Sequence, residues 1–185
     1  ELPAGAERPA LLVFDLDNTL WTPELYQLRA SPKPDRDIRL FDGARAALHE
    51  LSTLKKVWGN TRFALASRTN KGQWAHMLLG KFEVDDEGTT MEELFEFKEI
   101  YTGTKRKHFD RLRSDTGIPY EDMIFFDDST MNTVEIERMG VLCAHCPRGL
   151  TSAIWDNALR TYAKMKHDGV PFMGTTLSAP SPAPN

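Results

Sequence analysis

Only two cysteines occur in the 185 residues, so no disulfide framework holds this chain together. No apolar run is long enough to span a bilayer. Glu1 to Pro9 lack the basic-then-apolar pattern of a secretory signal, and a cytoplasmic location is the resulting expectation. Positive charge is not in surplus: 23 Lys and Arg face 27 Asp and Glu, a net charge of −4, which argues against a general nucleic-acid binder. No Gly-x-Gly-x-x-Gly or Walker-type loop is present, so nucleotide binding has no support. No internal repeat is evident. What remains is an ordinary mixture of apolar and charged residues, long enough for one domain with a real core.

The chain is organised around Leu11-Leu12-Val13-Phe14-Asp15-Leu16-Asp17-Asn18-Thr19-Leu20-Trp21. A continuous apolar run reads as a strand buried on both faces, as in a parallel sheet. Residues i and i+2 of a strand point to the same side, so Asp15 and Asp17 face one small volume at its carboxyl end. Two carboxylates held together are costly unless a cation or a shared proton relieves them.

Further apolar runs follow at Phe63–Ala66, Leu94–Tyr101, Met123–Phe126 and Val141–Ala144. Helical spacing separates them. One helix opens at Asp42, expected as its N-cap, and carries Ala44, Ala47, Leu48 and Leu51. Another carries Trp74, Met77 and Leu78. A third starts at Lys105, runs through Phe109 and Leu112, and stops at Gly117. A fourth, capped by Ser129 or Thr130, carries Val134, Ile136 and Met139, and a last one covers about Ser152 to Lys166. The segment from Pro23 to Asp35 is proline-marked loop with one short helical turn near Glu24–Arg29. The acidic stretch from Glu83 to Glu93 reads as solvated surface.

Alternating strands and helices predict an α/β, doubly wound, Rossmann-like and mainly parallel sheet with helices on both faces. The expected division is a lead-in over 1–9, a single domain over 10–168, and a tail over 169–185, rich in proline and not expected to fold alone.

In that architecture the strand ends share one rim. Asp15 with Asp17, Ser67 with Arg68 and Thr69, Lys105, and Asp127 with Asp128 are delivered there. The carboxylates suit a hard divalent cation such as Mg²⁺; without His or Cys in the set, zinc fits less well. If extended, Asp127 and Asp128 point to opposite faces, so one of them is expected to bind the metal directly. Lys105, Arg106 and Lys107 place positive charge at a helix N-terminus, where an anion would relieve them. Cys143 and Cys146 face opposite sides of a strand and do not make a metal pair. His108 is expected to be a helix residue behind the site.

Asp15-Leu16-Asp17-Asn18-Thr19-Leu20 resembles the first motif of the haloacid dehalogenase superfamily. Ser67 matches the second motif, Lys105 the third, and Asp127-Asp128 the fourth. The surrounding words, Ala66-Ser67-Arg68-Thr69, Ile100-Tyr101-Thr102-Gly103-Thr104-Lys105 with His108-Phe109, and Phe125-Phe126-Asp127-Asp128, are similar to those of the small magnesium-dependent phosphatases of that superfamily. The likeness covers roughly residues 10 to 166. It implies that Asp15 is a nucleophile forming an aspartyl-phosphate and Asp17 a general acid and base whose backbone carbonyl also binds magnesium. Asp128 is the implied third metal ligand, with Asp127 a ligand or a partner of one. Ser67, Arg68 and Lys105 would hold the phosphoryl oxygens. The short inter-motif segments leave no room for a full cap domain, and an open site suits a phosphorylated small molecule, such as a sugar phosphate, or a phosphotyrosyl protein. Two rivals share the fold class: a phosphate-binding or regulatory module without turnover, and a receiver-like domain that keeps its phospho-aspartate.

Overall fold

The computed structural model describes residues 6–179. Leu11–Phe14 form the first strand, β1, with every residue buried. Leu12 and Phe14 enter one core cluster, while Leu11 and Val13 enter a second. Both faces of the strand are thus covered, which is why its sequence is continuously apolar rather than alternating.

In chain order the elements are β2 (Trp21–Thr22), a short 3-10 turn (Leu25–Gln27), β3 (Arg39–Leu40), α1 (Asp42–Thr53), α2 (Lys55–Trp58), β4 (Arg62–Ser67), α3 (Gly72–Leu79), α4 (Met91–Leu94) and β5 (Phe97–Ile100). There follow α5 (Lys105–Thr116), a second 3-10 turn (Tyr120–Asp122), β6 (Met123–Asp127), α6 (Thr130–Glu137), β7 (Leu142–His145), α7 (Ser152–His167) and β8 (Thr176–Leu177). Six strands form one sheet in the order β5-β4-β1-β6-β7-β8, and every neighbouring pair is parallel.

This order places the site. The chain leaves β1 for β4 on one side, then returns to place β6 on the other side of β1. The helix after β1, α1, packs on the first core cluster with α3 and α7; the helix after β6, α6, packs on the second with α5. Neighbouring strands whose following helices part to opposite faces leave a crevice at their carboxyl ends. Asp15 follows β1 and Asp127 ends β6, so the crevice opens between them.

Several local expectations change. Phe41, not Asp42, occupies the cap position of α1; Asp42 is its first residue and makes no capping bond, although its charge suits the positive helix end. Ser129 precedes α6 without capping it through its side chain. The strand expected over Leu94–Tyr101 starts only at Phe97, because Thr90 and Glu93 form a capping box that winds 91–94 into α4. Val134 is exposed, whereas Asn132 and Thr133 beside it are buried. On either side of the expected loop over Pro23–Asp35, β2 and β3 pair antiparallel. No cap domain interrupts the described residues: only β2, β3 and the 3-10 turn lie between β1 and α1, and only α3 and α4 between β4 and β5.

At the ends of the expected domain, Thr61 Oγ1 donates to the carbonyl of Pro9 at 2.8 Å, and Pro9 is buried. Beyond residue 168, Phe172 packs on Tyr162 and Thr176–Leu177 pair with β7, so this part of the tail belongs to the sheet. The remaining calls on 1–5 and 180–185 fall outside the described residues.

The α1–α7 contact depends on a glycine. A Cβ at Gly43 would overlap the backbone of Leu150 and Thr151. Gly43→Ala is expected to cost about 1–3 kcal/mol, read as a lower urea midpoint at an unchanged slope. An unchanged midpoint would show that this approach is not constraining.

Candidate active site

The two acids that follow β1 are presented by different means. Asp15 stays in register with the sheet, its N–H donating to Phe126 O at 2.9 Å. Leu16 then turns fully into the core, and the chain folds back through Asn18 at φ 58°, a left-handed conformation that asparagine tolerates. The N–H groups of Thr19, Leu20 and Trp21 all turn back to Leu16 O. This brings the indole of Trp21 under Asp17, where Nε1 donates to Asp17 Oδ1 at 2.7 Å. Asp15 and Asp17 both line a cavity of about 410 Å³.

Lys105 is the first residue of α5, but it is not the solvated cation that a basic helix start suggests. It is completely buried. Thr104 caps the helix, and the Lys105 side chain runs beneath the strand ends. Its Nζ lies 2.7 Å from Asp15 Oδ1 and 3.0 Å from Asp127 Oδ2, and also donates to Ala66 O. The negative charge that relieves this helix start therefore comes from two of the protein's own carboxylates. Behind it, His108 is buried with Nε2 3.0 Å from Tyr101 O, and burial followed by the charge of Lys105 pushes its pKa down to about 4.

Asp127 and Asp128 do not diverge as an extended pair would. One carboxylate oxygen from each lies within 4.8 Å of one from Asp15 and of the other. The chain bends as β6 ends: Asp128 N donates to Thr19 Oγ1 at 3.0 Å, and His145 Nε2 lies 2.9 Å from Asp128 O. The two acids then play different parts. Asp127 is buried and receives Lys105, Ser129 N at 2.8 Å and Asn132 Nδ2 at 3.0 Å from each oxygen. Asp128 is half-buried and lines the cavity.

Ser67, at the end of β4, also lines the cavity, its Oγ accepting from Thr69 N at 3.3 Å. Arg68 is exposed at the rim, with Nη1 3.2 Å from Asn132 Oδ1. All the sequence-derived candidates therefore gather here, with Asp127 just beneath the lining. Tyr26, one of the residues expected from sequence to line the entrance, and Ser129 line it too, and Glu24, Asn70, Thr102 and Asn132 join them without having been singled out from sequence. For Asn132 a signal existed, since it lies on the first turn of the helix that leaves β6, at the rim where ligands bind.

Charge dominates the chemistry of this cluster. Burial, followed by repulsion from Asp127 and Asp128, raises the pKa of Asp15 to about 8 despite the opposing pull of Lys105. Burial and then Asp127 raise Asp128 to about 6. Asp17 is raised by burial, against the hydrogen bond from Trp21. Burial disfavours the Lys105 ammonium, but Asp15 and Asp127 hold its pKa above the ordinary value. Three carboxylates and one ammonium leave two negative charges uncompensated if all are ionised, and the upward shifts of Asp15 and Asp128 are the response to that excess.

A protein-family model described as Acid Phosphatase matches residues 7–165. The chain belongs to this family. Among curated proteins it is 35% identical over 170 residues to magnesium-dependent phosphatase 1 of Homo sapiens, covering 86% of this chain and 90% of that protein. It is 31% identical over 150 residues to an HAD-like hydrolase superfamily protein of Schizosaccharomyces pombe, covering 73% and 84%. A haloacid dehalogenase-like family hydrolase from Xanthomonas campestris has the same fold, with a TM-score of 0.58 at 13% identity over 85% of this chain and 97% of that one. This acid phosphatase family member is thus an HAD-type phosphatase built on a six-stranded parallel sheet. No helix among its described residues is long and apolar enough to cross a membrane.

Proposed function

We propose that the protein is a magnesium-dependent phosphomonoester hydrolase that works through an aspartyl-phosphate on Asp15. The observation that carries this reading is the buried Lys105 set between Asp15 and Asp127 at the floor of an open acidic cavity. The human relative is named for magnesium dependence. The donor set fits such an ion: oxygen ligands only, and two uncompensated negative charges. Asp15, Asp128 and the backbone carbonyl of Asp17 would hold it, while Asp127, already engaged by three protein donors, orients Lys105 from beneath. When bound, the ion supplies Lewis-acid shielding of phosphoryl charge and replaces the protons that the metal-free acids retain.

The remaining work belongs to side chains. Lys105 holds Asp15 Oδ1, which leaves the other oxygen to attack phosphorus. The bond to the leaving oxygen breaks as Asp17 gives it a proton; burial raises the Asp17 pKa, the direction that favours its holding that proton. Asp17 then takes a proton from water, the water oxygen attacks phosphorus, and phosphate leaves with Asp15 restored. Ser67 provides a donor for the phosphoryl oxygens, with Arg68 at the rim, while Lys105, whose three N–H groups are held by Asp15, Asp127 and Ala66 O, contributes its positive charge from the floor. The substrate is a sugar phosphate or a phosphotyrosyl protein, either of which an uncapped mouth admits.

Because protons and metal compete for the same acids, hydrolysis of an aryl phosphate is expected to require Mg²⁺, with the half-saturating concentration rising as pH falls from 8 to 6. Equal turnover in a chelator would overturn the reading. A half-saturating concentration independent of pH would show that Asp15 and Asp128 are not the groups being displaced from their protons.

A further inference from the structure

Asn132 is buried on the first turn of α6, where a polar side chain commonly folds back to cap the helix. It does not do so here, because the N–H of the cap residue, Ser129, is taken by Asp127 Oδ1 at 2.8 Å. Asn132 is therefore free to face the site. Its Nδ2 lies 3.0 Å from both oxygens of Asp127, and its Oδ1 receives Arg68 Nη1 at 3.2 Å. The orientation of the amide is not a free choice. Turning it over would set oxygen against a buried carboxylate and nitrogen against a guanidinium. Asp127 thus dictates that the one acceptor of Asn132 points at Arg68. Arg68 in turn has no carboxylate partner among the described residues, so its remaining N–H groups stay available at the cavity rim.

We infer that Asn132 is a positioning residue that aligns the Arg68 guanidinium for the substrate anion and braces the Asp127–Lys105 pair, joining the two cationic groups of the pocket through one amide. The inference rests on the phosphatase reading and deepens it. A guanidinium recognises phosphate oxygens through a rigid fork, so fixing its plane matters more than supplying its charge. The two faces of the amide then have separable consequences. Its oxygen acts through Arg68 on substrate capture. Its nitrogen acts through Asp127 on Lys105 and therefore on the chemical step.

The test is a double-mutant cycle in the full chain with saturating Mg²⁺ and an aryl phosphate. Arg68→Ala and Asn132→Ala are each expected to raise KM about tenfold, as for losing a charged hydrogen bond, and the double variant no more than about twofold beyond either. Asn132→Asp keeps an acceptor for Arg68 but sets a carboxylate against Asp127; it should hold KM within about twofold of the parent and lower kcat. A residue that merely stabilised α6 would not produce this split. Additive single effects, or an Asn132→Asp variant whose KM rises like that of Asn132→Ala, would overturn the inference while leaving the phosphatase reading intact. If the parent shows no turnover, the phosphatase reading fails by itself, and the same cycle is read in the affinity for inorganic phosphate by calorimetry. Coupling there sustains the link between Asn132 and Arg68; additivity, or no phosphate binding by the folded parent, removes it.

Discussion

Asp15→Asn is expected to lower turnover by a factor of about 10⁴ or more, on the scale of deleting a nucleophile from an enzyme whose parts act as a unit. The same change should leave the metal-free fold as stable as the parent, or more so at alkaline pH. In the parent, folding raises the Asp15 pKa from 3.8 to about 8, chiefly through burial. Between those values the folded state binds more protons than the unfolded state, so this group's contribution to stability falls as pH rises. Asparagine has nearly the same shape and does not titrate. It removes that penalty, and Lys105 keeps Asp127 as a partner. Thermal melts of both proteins at pH 5 and pH 8 in chelator, repeated with Mg²⁺, check each part. Magnesium should raise the parent's midpoint more at pH 8 than at pH 5, and raise the variant's less. Substantial phosphatase activity in the variant would remove Asp15 as the nucleophile; a variant unfolded in chelator would refute the electrostatic account of the site.

Lys105→Met is the second large effect, and here stability carries it. Among the described residues Lys105 is the one cation that touches both Asp15 and Asp127, and all three are buried. Removing one member of a buried charge cluster costs about 3–5 kcal/mol, because the others are left uncompensated. Methionine preserves most of the apolar stem, so the loss reports charge more than packing. In a domain of this size that corresponds to a fall in melting temperature of roughly 6–20 °C. The sign of the pH dependence separates the causes. Without the ammonium, protonating Asp15 relieves the strain, so the deficit should shrink as pH falls from 8 to 5 in the absence of metal. A deficit constant across that interval would mean that packing was lost instead. Turnover should be undetectable at either pH, since the phosphoryl charge loses a fixed counter-charge and Asp15 loses its orienting donor.

The human relative and the family match cover most of this chain, and the features that bear the chemistry lie inside the matched region. The end of β6 shows a division of labour. Of two adjacent acids, one is consumed by protein donors and the other is left facing the cavity. That division explains how a site can carry so many carboxylates and still admit an anionic substrate: part of the negative charge is spent on fixing Lys105.

By itself the sequence determined the alternation of strand and helix, the burial of β1 on both faces, and the convergence of Asp15, Asp17, Ser67, Lys105, Asp127 and Asp128 on one rim. Each of these follows from local pattern, because apolar runs and helical periodicity are read within a few residues and parallel strands must share a carboxyl edge. The tertiary structure alone decided which charges meet. Lys105 and Asp15 are 90 positions apart, and Arg68 and Asn132 are 64 apart. No local pattern states whether a basic helix start is solvated or drawn under a neighbouring strand. The two-residue strands β2, β3 and β8 were likewise invisible, because so short a segment has no periodicity of its own and becomes a strand only when a partner backbone lies beside it. Asn132 was hidden for a related reason. An asparagine on a first helical turn is ordinary until the N–H of the cap residue is taken by a carboxylate from another element, and only then does its amide have nothing left to face but the site.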